Sequence, residues 1–269
     1  MTISIQEPIP TGLFIRCFSK DEYAESFFHG NIRAGWLNKY KIMEGDVRVD
    51  TTEGESKFTH DVNGMTCTTS GSTLNLYYII CISEVSEGET LSAEIQNLRS
   101  KFSENTVSQA KYVQIYDLKK FTKTVVKALQ WSKYGNCIAE VKWYKVEYSK
   151  GEERKNTDQF EELELYQKPK KSPDGRTYTD ENEWRLAIRI KNDVIMQGRE
   201  CNDLFTISNE EFMRRVVKFL NMTEEEIRTY PHSSPEELIE SVEPHVHKYM
   251  NDLIVESIGD LSESCNLCD

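Results

Sequence analysis

A chain of 269 residues, 38% hydrophobic and 29% charged, has too much apolar content for disorder and enough for one large core or two small ones. Its formal net charge of −12 opposes general binding to phosphate backbones, which takes basic surface. No apolar run is long enough to cross a bilayer, and the first residues lack the basic-then-apolar order of a secretion signal, so a cytoplasmic protein with no membrane partner is expected.

In chain order, Gly12 to Phe18 reads as a strand with one charge, Arg16, inside its apolar run. A guanidinium there costs stability unless it finds an anion or reaches water. Ser19 and Glu22 have the spacing of a capping box opening a helix that Gly30 ends in a left-handed turn. His29 is read as a helix-end residue. A short strand follows over Ile32 to Leu37. Tyr40 to Gly54 is polar and irregular, a long loop of the functional sort, carrying Arg48, Asp50 and Glu53. Thr66 to Ser72 reads as a small-residue turn. Leu74 to Ser83 is the strongest strand, apolar enough for burial on both faces.

Leu91 to Phe102 and Leu118 to Leu129 read as helices, Tyr112 to Tyr116 and Ala139 to Tyr148 as strands, and Leu163 to Lys168 as a short one. Glu181 and Glu183 enter an alternating run, Trp184 to Ile190. Residues two apart on a strand share a face, so these carboxylates are expected side by side, an arrangement that invites a cation or a reaction. Asp203 to Ile207 is a last expected strand. Ser208 opens a helix through Phe219, and the tail from Thr223 is helical, broken at Pro231, Pro235 and Pro244. About seven strands and four or five helices, without regular βαβ alternation, imply an α+β fold with a twisted, largely antiparallel sheet. The expected division is a main domain over 1–207 and a C-terminal helical extension over 208–269 packed on it.

The seven cysteines are odd in number and scattered, which suits a reducing compartment. Cys265 and Cys268 form a C-x-x-C pair with no second pair at matching spacing; a frayed tail is the expectation, and His245 and His247 complete a metal site only if the tail folds back. The basic runs Lys168 to Lys171 and Arg214-Arg215 read as solvated faces. The motifs of P-loop nucleotide binding, dinucleotide folds, zinc proteases and serine hydrolases are missing.

The order of a strand-borne arginine (Arg16), a strand ending in serine (Cys81-Ile82-Ser83) and a late Glu-x-Glu (Glu181-Asn182-Glu183) resembles the arginine–serine–glutamate class of ADP-ribosyltransferases. The segment from Phe14 to Gly54 is also similar to bacterial proteins of toxin and phage-defence contexts. The resemblance covers residues 12–190. It implies a split antiparallel sheet with NAD as cofactor in its cleft, and transfer of ADP-ribose to a macromolecular acceptor, with an antitoxin or other regulatory partner.

By that resemblance Arg16 holds the pyrophosphate and Glu183 is the catalytic carboxylate at the ribose. Glu181 would orient or deprotonate the acceptor, and Ser83 would support Glu183 or the nicotinamide ribose. The chain departs from the family's Ser-Thr-Ser at Cys81-Ile82-Ser83, and Thr68-Thr69-Ser70 is a competing match. Arg48, with Asp50 and Glu53, either forms a surface ion-pair loop or borders the cleft and contacts ligand. Because some members use histidine and tyrosine instead, His29 with Tyr40 is an alternative pair. Two further readings stay open: a non-catalytic module binding a nucleotide or phage component, and a magnesium-dependent nuclease using Asp50, Glu53 and Glu181.

Overall fold

The computed structural model describes residues 2–18, 20–37, 56–62, 65–71, 77–86, 91–93, 95, 111–149, 154–155, 167–169, 178, 181–191, 208–229, 234, 237–239, 253–256, 259 and 261–268. It is a mixed α/β protein built on a nine-stranded, mostly antiparallel open sheet.

In chain order β1 (Ser4–Gln6) and β2 (Phe14–Cys17) precede helix α1 (Asp21–Phe28), and β3 (Ile32–Trp36) follows it. A hairpin of β4 (Ser56–Val62) and β5 (Met65–Gly71) leads to the central β6 (Tyr77–Glu84). Next come β7 (Tyr112–Ile115), helix α2 (Leu118–Trp131), β8 (Ile138–Lys145), and the short β9 (Glu147–Ser149), β10 (Arg154–Lys155) and β11 (Gln167–Pro169). β12 (Glu183–Ile190), helices α3 (Asn209–Leu220) and α4 (Glu224–Arg228), β13 (Leu253–Val255) and β14 (Cys265–Cys268) complete the described chain.

The sheet order is β1-β8-β12-β6-β2-β7-β14, with β3 also on β6 and β13 on β3. All its ladders are antiparallel except β1 with β8. β6 is the shared rail. Along one edge it pairs with β12 from Tyr77 to Ser83. Along the other, Ser83 and Glu84 pair with Ile15 and Phe14 of β2, while Tyr78 and Ile79 pair with Trp36 and Gly35 of β3. Between those two ladders, residues 80–82 face no strand on that edge among the described residues. β2 turns away to β7 and β3 to β13. The ladder therefore forks where Arg16 leaves it.

β6 is apolar because both its faces are covered, as its composition implied. Tyr78, Ile80 and Ile82 join the main core with Phe14, Phe27, Trp36, Phe121, Val125, Leu186 and Ile188. Tyr77 and Ile79 pack on the opposite face with Leu37, Tyr144 and Ala187. α1 and α2 cover the first face. α2 turns Leu118, Phe121, Val125, Val126 and Leu129 inward at helical spacing. Its Thr122 is buried too; the hydroxyl accepts from Trp143 Nε1 at 2.9 Å and donates to the Leu118 carbonyl at 2.6 Å, so no polar group there is stranded.

Several expectations are corrected. Ser19, the expected cap, lies outside the described residues; α1 is capped at Lys20, with no side-chain cap bond, and Glu22 pairs with Lys20 at 3.3 Å. Its end is as expected: Gly30 has φ +88°, and a Cβ there would lie 2.3 Å from the Gly259 carbonyl oxygen, so both conformation and space require glycine. Thr66 to Gly71 is strand, not turn, because β-branched threonines suit a pleated surface. Only Asn63 and Gly64 separate the paired Val62 and Met65, and that dipeptide is the strongest hairpin signal a sequence carries.

The C-terminal segment is more than a helical extension. α3 and α4 share a small core of Phe212, Val216 and Ile227, and Thr223 forms a capping box with Glu226. Beyond them β13 and β14 join the main sheet on β3 and β7.

Cys265 to Cys268 is thus an edge strand, not a frayed tail. Residues three apart on a strand face opposite ways. Cys265 accordingly lies in the main core, and Cys268 packs with Ile15 and Tyr112 on the other face. The pair cannot chelate one ion in this conformation. Cys17, Cys81, Cys265 and Cys268 are free thiols, and burial pushes Cys265 up to about 11. Cys137, wholly buried, is disulfide-bonded, which the scatter of cysteines did not suggest.

The expected strand at Asp203 to Ile207, the loop over Tyr40 to Gly54, most of the Leu91 to Phe102 helix, and His245 and His247 lie outside the described residues.

Candidate functional site

The candidate site sits at the C-terminal end of β6, where three strands distant in sequence run side by side. Ser83 is paired with Ile15 of β2 on one edge and with Glu183 of β12 on the other. Three positions expected to act together, Arg16, Ser83 and Glu183, therefore fall on adjacent strands at one level of the sheet. Their side chains are arranged differently from the simple expectation.

Glu183 is 7% exposed, and its Oε1 accepts from Arg185 Nε at 2.8 Å, with Arg185 itself 1% exposed. The two are a strand-alternation pair, two residues apart and on one face. Arg185 stands opposite Cys81 across the ladder, so Cys81, Ser83, Glu183 and Arg185 share that face. The Cys81 thiol reports their fields. Burial pushes its pKa well up, the Glu183 carboxylate raises it further by charge and hydrogen bond, and the positive charges of Arg185 and Arg16 pull it back. Arg16 is thus close enough for its charge to be felt at Cys81.

The Arg16 guanidinium itself stacks on aromatic rings, with Cζ 5.0 Å from the Phe27 centroid and 5.3 Å from that of Phe18. Ile15, not Arg16, pairs with Ser83, so alternation turns Arg16 to the face opposite Ser83 and Glu183, the side where Phe27 of α1 lies, while the Glu183 carboxylate engages Arg185. The cation is held on π faces, a way of placing a guanidinium within an apolar run that its position in the sequence required.

Glu181 does not share the Glu183 face by strand alternation. β12 begins at Glu183, and Asn182 adopts φ +43°, a left-handed turn that asparagine tolerates. The kink is held on both sides: Asn182 Nδ2 donates to the Glu84 carbonyl at 3.0 Å, and the Glu84 N–H donates to the Asn182 carbonyl at 3.0 Å. The Glu181 N–H donates to the Tyr178 carbonyl at 2.9 Å. The Glu183 N–H donates to the Tyr148 hydroxyl at 3.2 Å, so the turn into β12 is fixed from a third strand.

Compared with family models, curated proteins and solved structures, the chain matches none. What the site can do rests on its own chemistry.

Glu84, next to Ser83, accepts from Lys145 Nζ at 2.7 Å and Trp184 Nε1 at 2.9 Å. Trp184 in turn meets Phe14 edge to face, with centroids 6.3 Å apart. Burial would raise the Glu84 carboxyl, but hydrogen bonds from Lys145 and Trp184 and the Lys145 charge outweigh it, and its pKa falls below the ordinary carboxylate value. A carboxylate with a lowered folded pKa stabilises the fold above its unfolded pKa of about 4.3, and that contribution is lost as pH falls through the folded value. Glu84→Gln is therefore expected to flatten the acid-side fall in stability, measured as urea midpoints from neutral pH downward. An unchanged acid limb would contradict this role.

The remaining expected residues do not gather here. Tyr40, Arg48, Asp50 and Glu53 lie outside the described residues, and Thr68, Thr69 and Ser70 lie on the separate β4–β5 hairpin. His29 is exposed at the end of α1, its backbone N–H bonded to the Glu25 carbonyl. Among the described residues no three His, Cys, Asp or Glu side chains gather to hold a metal ion. No helix among them is long and apolar enough to cross a membrane.

Arg185 was missed from the sequence, although the signal was present. A basic residue two positions after Glu183 on an alternating strand faces the same way and is the nearest partner for its charge.

Proposed function

We propose that the chain binds NAD at the fork of the sheet and transfers ADP-ribose to a macromolecular acceptor. The observation that carries this reading is the register of β2, β6 and β12, which sets Ser83 beside Glu183 and leaves Arg16, on the opposite face, at the interrupted ladder where its charge still reaches Cys81. Arg16 would take the pyrophosphate, for which a planar guanidinium fork is the apt donor. Glu183 would hydrogen-bond the ribose and stabilise the positive charge that grows as nicotinamide leaves. Its ion pair with Arg185 holds the carboxylate in place, so the acceptor is oriented before substrate arrives. NAD supplies the labile glycosidic bond, and these side chains bind, orient and stabilise.

The same ion pair favours a second reading. A carboxylate already satisfied by Arg185 suits a non-catalytic module in which the fork binds a nucleotide and no bond is broken.

Nicotinamide release from NAD, with label transfer to lysate protein and nucleic acid, separates the two. The transferase reading expects release that falls about a hundredfold or more in Glu183→Gln, in line with the loss of one charge-stabilising group. Release by neither protein, with NAD still bound, supports the module. Release unchanged in the variant would remove Glu183 from the chemistry.

A further inference from the structure

The outer face of α2 is strongly basic. α2 carries Lys119, Lys120, Lys123 and Lys127 and no acidic residue, in a chain of net charge −12. All four lysines are exposed. Lys120 is taken up by Glu263 at 2.6 Å. Lys119, Lys123 and Lys127 engage no acidic group among the described residues. They stand four apart, so they form one ridge of the helix with ~6 Å of rise between successive ammonium stems. The next step of the ridge is Trp131, which is 84% exposed. Lys133 follows, beside Tyr134.

An indole left this far in water, at the end of a cationic ridge, packs little against the described residues. Aromatic and basic side chains in series are the elements of a single-strand platform: bases stack on the ring whatever their identity, and phosphates run along the cations. We propose that the Lys119–Lys123–Lys127–Trp131 ridge of α2 binds single-stranded nucleic acid. An anionic bilayer is a poorer fit, because Phe121, Val125 and Leu129 are turned into the core and one ring remains to insert. An acidic peptide would answer the lysines and leave the indole unused. Duplex DNA offers no exposed base faces to a single ring on a convex helix. The ridge does not depend on NAD chemistry at the fork.

The test is fluorescence anisotropy of a labelled oligothymidylate of roughly 20 nucleotides, longer than the ~4–16-nucleotide sites of single-strand binding folds. Salt is varied, with polyglutamate and phosphatidylserine vesicles as competitors. Binding is expected, with a logarithmic salt slope that falls by about 2 in Lys119→Gln/Lys123→Gln/Lys127→Gln, at ~0.7 per lost phosphate contact. Trp131→Ala is expected to weaken binding about tenfold at unchanged slope, the size of one lost base stack. All four side chains are exposed, and thermal melts check that the variants fold. If the triple variant unfolds, Lys123→Gln alone should lower the slope by ~0.7. No anisotropy change at low salt overturns the proposal. So does equal binding by the lysine variants, or displacement of the oligonucleotide by polyglutamate or vesicles at lower concentration than by unlabelled oligonucleotide.

Discussion

Arg185→Met is expected to destabilise the fold by about 3–5 kcal/mol, the usual cost of removing one partner from a buried ion pair. Arg185 and Glu183 are among the few buried charged residues of the described chain, and they face each other at 2.8 Å. Methionine fills much of the volume but leaves the Glu183 carboxylate inside without its nearest counter-charge. The loss therefore comes from the stranded anion more than from packing. Adding Glu183→Gln to Arg185→Met is expected to recover part of the loss, since a neutral amide tolerates burial better than an uncompensated charge. Chemical denaturation of the four proteins of this cycle measures it. An Arg185→Met cost below about 1 kcal/mol would mean that the pair is open to water and that the site is not preorganised.

The second large effect belongs to Phe27. Its ring is 2% exposed, packs on Phe121 with centroids 5.8 Å apart and on Phe18 at 5.3 Å, and carries the Arg16 guanidinium. Phe27→Ala is expected to cost about 3–5 kcal/mol by opening a cavity where α1 meets the sheet. Phe27→Leu keeps most of the volume but removes the π face, so its cost beyond repacking is the cation–π contact, about 0.5–2 kcal/mol. Pairing Phe27→Leu with Arg16→Gln separates the two contributions. If the costs simply add, the stacking of Arg16 on Phe27 has no energetic weight.

Much of the sheet was legible because burial writes itself into composition. β6 is apolar at successive positions because both its faces are covered, and α2 repeats its apolar residues at helical spacing because one side meets the sheet. That Ser83 and Glu183 are direct neighbours was not legible from periodicity, which places residues on faces and says nothing of which strands pair.

The errors have local causes. The two-residue spacing puts Glu181 and Glu183 on one face only for a strand that begins two residues earlier than β12 does. Asn182, a residue that enters left-handed conformations, sets the true start. The Cys265–Cys268 spacing resembles a ligand pair, yet a strand divides such a pair between opposite faces. The β4–β5 hairpin carries a turn signal in Asn63-Gly64, but its polar, threonine-rich strands on a small separate sheet carry no hydrophobic alternation to mark them as strands. The Lys119–Lys123–Lys127–Trp131 ridge could be read from the sequence only once the buried side of α2 was known.

The proposed NAD site at the fork beside β6 is organised around Arg16. Calorimetric titration of the intact chain with NAD, in wild type and in Arg16→Gln, tests it most directly. The account predicts saturable binding in the wild type and a loss of about tenfold or more in the variant, the scale of a charged hydrogen bond to phosphate. Arg16→Lys should recover little of it, because a point charge lacks the bidentate fork. No heat with the folded wild type, or equal affinity in Arg16→Gln, would contradict the account.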